Sequence, residues 1–289
     1  MPVVARTRLG LAAARRGLAA PVVLVPTMGA LHEGHRALIR RAREIASPNG
    51  SVVVSVFVNP LQFGAGEDLD RYPRTLKDDV LIVAEEGGDL LFAPGAPQMY
   101  PRPQLITVDP GPVGRILEGE SRPGHFAGVL TVVAKLLQLV RPDVAVFGEK
   151  DAQQLALVRR MAADLDLGVE IAGVPIVRDP DGLAISSRNR FLSPAERRTA
   201  LLLPAALRAG QEAAPDGPAA VRKAAGEVLA TRADPPLELD YLALVDPDTF
   251  GEAGEDHAGP ARLLVAARVG TTRLIDNIPL SLECHAADD

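Results

Sequence analysis

Over the first 176 positions, short runs of consecutive apolar residues alternate with longer segments in which apolar residues return every three to four positions. The short runs at 22–25, 51–58, 89–93, 143–147 and 169–174 predict strands buried on both faces. The periodic segments at 34–46, 75–86, 126–140 and 151–166 predict helices. Thr75 is placed to cap the second of these, with Asp78 and Asp79 in its first turn, where the helix dipole favours carboxylates. The Arg141-Pro142 pair ends the third. Strand, helix, strand repeated in this way implies a parallel sheet with helices on its faces, and such sheets bind ligands beyond the carboxyl ends of their strands.

The rhythm changes near residue 176. Positions 178–190 are polar and turn-rich, and Ser193-Pro194-Ala195-Glu196 then opens a helix as a capping box. A further helix is expected over 219–231. Strands are expected at 239–245, 263–269 and 272–278, the last two joined as a hairpin through Gly270-Thr271. Stretches near 215–218, 234–236 and 246–260, rich in proline or acid, read as surface loops. The expected architecture is therefore α/β: a Rossmann-like parallel-sheet domain over 1–176, followed by a smaller α+β domain over 177–289.

Composition narrows the function. A chain of 289 residues, 47% hydrophobic and 24% charged, is long enough for a sizeable core and is not disordered. A net charge of −6 argues against nonspecific nucleic-acid binding, which needs a basic footprint. The single cysteine, Cys284, excludes an intrachain disulfide and a cysteine-built zinc site. The N-terminus mixes arginine with small apolar residues, but Arg15 and Arg16 interrupt any signal-peptide core, so an amphipathic helix of a cytoplasmic protein is expected there. The longest apolar segment, 129–140, is too short to span a bilayer and is broken by Lys135 and Gln138. Only four lysines stand among 31 basic residues, so a lysine inside a motif draws attention.

Three segments carry candidate chemistry. The first, PTMGALHEGH at 26–35, lies between the first of these strands and the helix that follows it. Gly34 permits close approach of a ligand to the backbone, the helix start aims N–H groups at an anion, and His32 or His35 can donate to phosphate oxygens. The same residues also read as a glycine turn with two exposed histidines. The second, FGEKDAQQ at 147–154, follows a strand: Gly148 permits approach of a sugar, Lys150 supplies a point charge and Asp151 an acceptor for ribose hydroxyls. A salt-bridged turn capped by Asp151 is the plainer alternative. The third, at 184–190, sets Ser186, Ser187 and Arg188 in a row as an anion cradle or an ordinary surface turn. Gln62, in FVNPLQF, is suited to holding a hydroxyl or carboxylate; the loop 64–74, with Tyr72, is a candidate lid; and RPGHFAGV at 122–129 brings His125.

Taken in order, PTMGALHEGH, FVNPLQF, DLDRYPRT, RPGHFAGV, FGEKDAQQ and SSRNRFL resemble the pantothenate synthetase (pantoate–β-alanine ligase) family of the nucleotidyltransferase superfamily, and the likeness runs from about residue 25 to about 278. Residues 32–35 look like the HIGH motif of that superfamily and 185–188 like its KMSKS motif. The resemblance implies ATP-dependent condensation of pantoate with β-alanine through a pantoyl adenylate, releasing AMP and pyrophosphate. It implies His35 and His32, with Lys150, as the catalytic groups. ATP would be lined by Met28, Gly29, Ala30, Leu31, His32, Glu33, Gly34 and His35, then Gly148, Glu149, Lys150 and Asp151, then Val177, Ile185, Ser186, Ser187 and Arg188. Gln62 and Gln154 would hold pantoate, with Gln62 shared by β-alanine. Mg²⁺ is expected on the phosphates, with Asp78 as a candidate ligand and Asp79 beside it. The resemblance implies a nucleotide-binding first domain that takes ATP and pantoate, and a homodimer with the smaller domain as a lid; from charge and segment length, no nucleic-acid or membrane partner is expected.

Two positions depart from the family's habit. Ala152 stands where an aromatic is usual and Ile185 where methionine is usual; both should alter packing and leave the reaction type intact. An adenylyltransferase of the same superfamily is the nearest alternative, and the two glutamines with the Ser-Ser-Arg segment favour the ligase. A catalytically silent nucleotide-binding module would be favoured had His35, Lys150 or Arg188 been lost.

Overall fold

A computed structural model describes residues 1–64, 69 and 72–283. Most of the candidate lid, Cys284, His285 and the acidic tail lie outside the described residues. The chain divides into two compact units, Met1–Glu149 with Gln153–Pro175, and Lys150–Ala152 with Ile176–Asp289.

In the first unit the elements run β1 (Val3–Ala5), α1 (Arg8–Arg15), β2 (Val22–Thr27), α2 (Glu33–Ala46), β3 (Ser51–Val56), α3 (Leu76–Glu85), β4 (Leu90–Phe92), the single turns α4 (Ala96–Met99) and α5 (Glu118–Ser121), α6 (His125–Val140), β5 (Val144–Gly148), α7 (Ala152–Asp164) and β6 (Glu170–Val174). The six strands form one sheet in the order β1-β4-β3-β2-β5-β6, and every neighbouring pair is parallel. Both faces are covered, which is why the central strands read as unbroken apolar runs. Leu24 and Val53 face the core built with α6 and α7, through Val129, Val133, Leu136 and Val158. Val23, Val25, Val52 and Val54 face Ile39, Ala42 and Ala46 of α2 and Val83 of α3.

From β2 the chain steps outward through β3 to β4, and from β5 it steps the other way to β6. The order therefore reverses between β2 and β5, and the ligand crevice of such a sheet lies beyond the carboxyl ends of those two strands. The PTMGALHEGH segment leaves β2 there and Gly148 ends β5 there.

In the second unit α8 (Pro194–Ala200), α9 (Leu202–Glu212) and α10 (Pro218–Leu229) precede an antiparallel sheet β7-β8-β9 (Leu237–Val245, Gly259–Val269, Thr272–Leu282). Alternate residues of β8 (Ala261, Leu263, Val265 and Ala267) pack on Leu203, Leu207, Val221 and Leu229. The expected capping box is formed: Ser193 accepts the Glu196 N–H and Glu196 accepts the Ser193 N–H.

Two local expectations need correction. Thr75 occupies the cap position of α3 but makes no cap bond; its hydroxyl donates to Asp79 instead. The helix expected from 151 begins at Ala152, after a 3₁₀ turn over Glu149–Asp151.

Candidate active site

The turn after β2 is built to hold an unusual backbone. Gly29 and Ala30 both have positive φ, 85° and 51°. At Gly29 a Cβ would meet Val56 Cγ1 at 2.8 Å, so glycine is required there on both counts. Ala30 carries a left-handed cost of order 1 kcal/mol, offset by Asp79. That buried carboxylate reaches across from α3 and accepts the Leu31 N–H at 2.9 Å and the Ala30 N–H at 3.3 Å. Burial raises the Asp79 pKa, against the pull of those donors and of Thr75. Asp79 is thus a structural acceptor, whereas Asp78 is exposed.

At the head of α2 the two histidines cap the helix reciprocally. His32 Nδ1 accepts the Gly34 N–H at 3.2 Å, and His35 Nδ1 accepts the His32 N–H at 3.3 Å. Their ring centroids are 4.1 Å apart. An Nδ1 that accepts leaves the proton of a neutral ring on Nε2. His35 keeps part of its surface open but is densely surrounded by protein; that burial, and then the neighbouring His32, lower its pKa to about 3. At neutral pH it is an uncharged N–H donor held at a helix N-terminus. Glu33 turns its carboxylate to Arg40 at 2.6 Å, so it offers the crevice its backbone only.

Beyond β3 a 3₁₀ turn over Pro60–Gln62 opens on Asn59, whose side chain caps it by accepting the Leu61 N–H. Gln62 is nearly buried. Its Oε1 accepts from Asn59 Nδ2 at 3.1 Å, and its Nε2 lies 3.1 Å from Met28 Sδ. The same Asn59 Nδ2 donates to the Gly128 carbonyl, and Asn59 Oδ1 accepts from the Tyr100 hydroxyl at 2.7 Å. The Gln62 carbonyl is gripped from the other side by His125 Nδ1 at 2.9 Å and Arg122 at 3.3 Å, with Arg122 also 3.1 Å from His125 Nε2. Arg122 as donor to Nε2 places the His125 proton on Nδ1, facing that carbonyl.

At the end of β5, Gly148 is open: a Cβ there would find only Leu38 Cδ2, at 3.8 Å. The two glutamines that follow differ. Gln153 is buried and spans the 112–118 turn, donating to the Val113 and Ile116 carbonyls and accepting the Glu118 N–H. Gln154 is half-buried, and its side chain makes no hydrogen bond among the described residues.

The second unit contains Lys150, Asp151, Val177, Ile185, Ser186, Ser187 and Arg188. Residues 177–185 form a narrow hairpin closed by an Arg178–Ala184 bridge and by the Ile185 N–H on the Val177 carbonyl. Ser186 caps the 3₁₀ turn Ser187–Phe191 by accepting the Arg188 N–H. Arg178 pairs with the buried Asp276 at 2.6 and 3.0 Å. Next to it, Asn277 accepts from Arg262 and donates to the Lys150 carbonyl at 3.0 Å. One short stretch of β9 therefore anchors both the hairpin and Lys150.

The predicted residues thus fall into two groups: 28–35, 62, 148, 149 and 154 in the first unit, and 150, 151, 177 and 185–188 in the second. Among the described residues no three His, Cys, Asp or Glu side chains converge as a metal site, and no helix is long and apolar enough to cross a membrane. Asn59, Tyr100, Asp276 and Asn277 were not singled out from the sequence. An Asn-Pro pair at a strand end is a local cap signal for the first; the others work through partners far along the chain.

Known proteins resemble this chain along most of its length. A family model described as pantoate-beta-alanine ligase matches residues 3–279. A pantothenate synthetase of Thermobifida fusca is 61% identical, over 97% of this chain and 96% of the relative. The crystal structure of a pantothenate synthetase from Thermus thermophilus superposes with a TM-score of 0.88 at 50% identity, covering 96% of this chain and 98% of that one. That of the Francisella tularensis pantoate-beta-alanine ligase, complexed with beta-gamma ATP and beta-alanine, gives 0.78 at 33%, covering 96% and 97%. With a family model matched over residues 3–279 and relatives this similar along nearly all of the chain, the chain belongs to the pantoate–β-alanine ligase family.

Proposed function

We propose that this chain condenses pantoate with β-alanine in two steps at the crevice beyond β2 and β5. In the first, a pantoate carboxylate oxygen attacks the α-phosphorus of ATP, the bond to the bridging oxygen breaks, and pyrophosphate leaves. In the second, the β-alanine amine attacks the acyl carbon of pantoyl adenylate, sheds its proton, and AMP leaves as pantothenate forms. Neither step needs a protein nucleophile; both need alignment and stabilisation of charge on oxygens that do not leave.

The observation that carries the reading is the pair of histidines at the head of α2. His35 presents a neutral Nε2–H beside the N–H groups of a helix start, a donor set suited to phosphate oxygens that gain charge in the transition state. His32 lies next to it. Lys150 supplies the cation, while Ile185, Ser186, Ser187 and Arg188 are assigned to the triphosphate and Val177 to the adenine. Gln62 and Gln154 are assigned to pantoate, and Gln62 to β-alanine as well. Magnesium would enter with the nucleotide, its ligands mainly phosphate oxygens and water, and would neutralise phosphate charge. Asp78, exposed on the first turn of α3, is assigned to it as the candidate carboxylate, whereas Asp79 is committed to the backbone. A homodimer in the cytoplasm, with the smaller unit as lid, completes the proposal.

One assay tests it. AMP and pyrophosphate should form together only when ATP, Mg²⁺, pantoate and β-alanine are all present. ADP as the product, or turnover indifferent to β-alanine, would refute the reading, and a product that keeps its nucleotide would favour an adenylyltransferase. Sedimentation of the purified chain tests the dimer.

A further inference from the structure

A carboxamide has a donor end and an acceptor end, and its neighbours decide which end a ligand meets. At Gln62 the acceptor end is occupied by Asn59 Nδ2, so the Nε2 end is the one turned toward Met28 in the β2 turn. Asn59 is itself fully engaged: its amide donates to Gly128 and Gln62, and its oxygen accepts from Leu61 and Tyr100. Of these four bonds the one from Tyr100 is the shortest, at 2.7 Å, and comes from a residue outside the predicted substrate set.

We infer that Tyr100 is a positioning residue for substrate binding, its hydroxyl fixing Asn59 so that Gln62 presents its N–H end to an oxygen-bearing substrate. The inference rests on the reading of Gln62 as a substrate contact. The Tyr100 ring is held by Phe57, at 6.0 Å between centroids, and by Lys135, whose Nζ stands 5.3 Å from the ring centre. Burial pushes its hydroxyl up to about 12, so the donor persists across the working pH range. The relay Tyr100–Asn59–Gln62 lies wholly within the first unit and is anchored by backbone at Leu61 and Gly128. A ligand that offers only N–H groups to Gln62 would meet donor against donor.

The test is a double-mutant cycle on the full-length protein with Tyr100→Phe and Gln62→Ala. Tyr100→Phe keeps the ring and removes only the hydroxyl. KM for pantoate should rise about threefold to tenfold, the worth of one hydrogen bond, while KM for ATP stays within twofold and the thermal midpoint within about two degrees. In the Gln62→Ala background the same change should add less than about twofold, because the group it positions is gone. An equal penalty in both backgrounds, an equal penalty on ATP, or no penalty at all would overturn the role of Tyr100 while leaving Gln62 in place. Gln62→Ala without effect on pantoate or β-alanine would remove the reading of Gln62 and the inference with it.

Discussion

His35 should remain uncharged through the whole range in which the enzyme works, and the consequence is measurable in two ways. Its folded pKa of about 3 stands against 6.5 for a free imidazole. At pH 7 the imidazolium would therefore be about one part in ten thousand of the folded protein. The unfolded chain takes up a proton at this site below about pH 6.5, whereas the folded chain does so only near pH 3. Stability from this residue is thus complete above pH 6.5, falls as pH drops through that window, and is exhausted below about 3. The full difference is roughly 3–5 kcal/mol, and the part lost between pH 7.5 and 4.5 about 2–3 kcal/mol. His35→Asn isolates it: an Asn oxygen can stand in for Nδ1 and keep the cap on His32, but it neither titrates nor offers an Nε2–H. In urea titrations at the two pH values the wild type should lose about 2–3 kcal/mol relative to the variant. Nitrogen NMR should show His35 with its proton on Nε2 down to about pH 4. A titration midpoint for His35 between 6 and 7, or a wild type and variant that lose stability in parallel, would refute the assignment.

Other expectations are as direct. His35→Asn and Lys150→Ala should each lower turnover by roughly 10²-fold or more, the scale of a lost transition-state donor, in a steady-state pyrophosphate-release assay. Gly128→Ala would set a Cβ 2.7 Å from the Gln62 amide nitrogen and closer still to the Leu61 carbonyl. The clash is with backbone, so the 3₁₀ turn must shift; the cost of about 1–3 kcal/mol is partly cancelled by alanine's better helix propensity of about 1 kcal/mol. KM for pantoate should rise far more than the thermal midpoint falls. Asp276→Asn leaves Arg178 half-paired on a buried partner and should destabilise the second unit by roughly 2–4 kcal/mol, seen as an earlier unfolding transition in calorimetry.

The parallel sheet was legible because strands buried on both faces write themselves as continuous apolar runs, and residues 22–25, 51–58 and 143–147 do so. β1 was not, since it has three residues and two of them are exposed. Thr75 reads as a cap because a threonine stands at the start of a helical pattern, yet its hydroxyl serves Asp79, whose own purpose lies 48 residues back at Leu31. His32, His35, Lys150 and Gln62 stand out as candidates through their motifs; that His35 is a neutral donor does not, because its pKa depends on packing no linear pattern records. Asn59 sits inside a motif that was read only for its glutamine. Tyr100 and Asn277 act on residues 41 and 127 positions away, and nothing local marks either.

The 3₁₀ turn after β5 has a further meaning for anyone who would take the protein apart. The chain leaves the first unit at Glu149, spends three residues in the second, and returns at Gln153. A fragment beginning at Ile176 would contain the three-stranded sheet and its helices but not the carbonyl to which Asn277 donates. A fragment ending at Pro175 would contain Lys150 without the strand that holds it. The two units are separable by contact and inseparable by threading: no single cut yields both halves with their own residues. Lys150, the lysine proposed to serve the phosphates, is the residue that either dissection would set adrift.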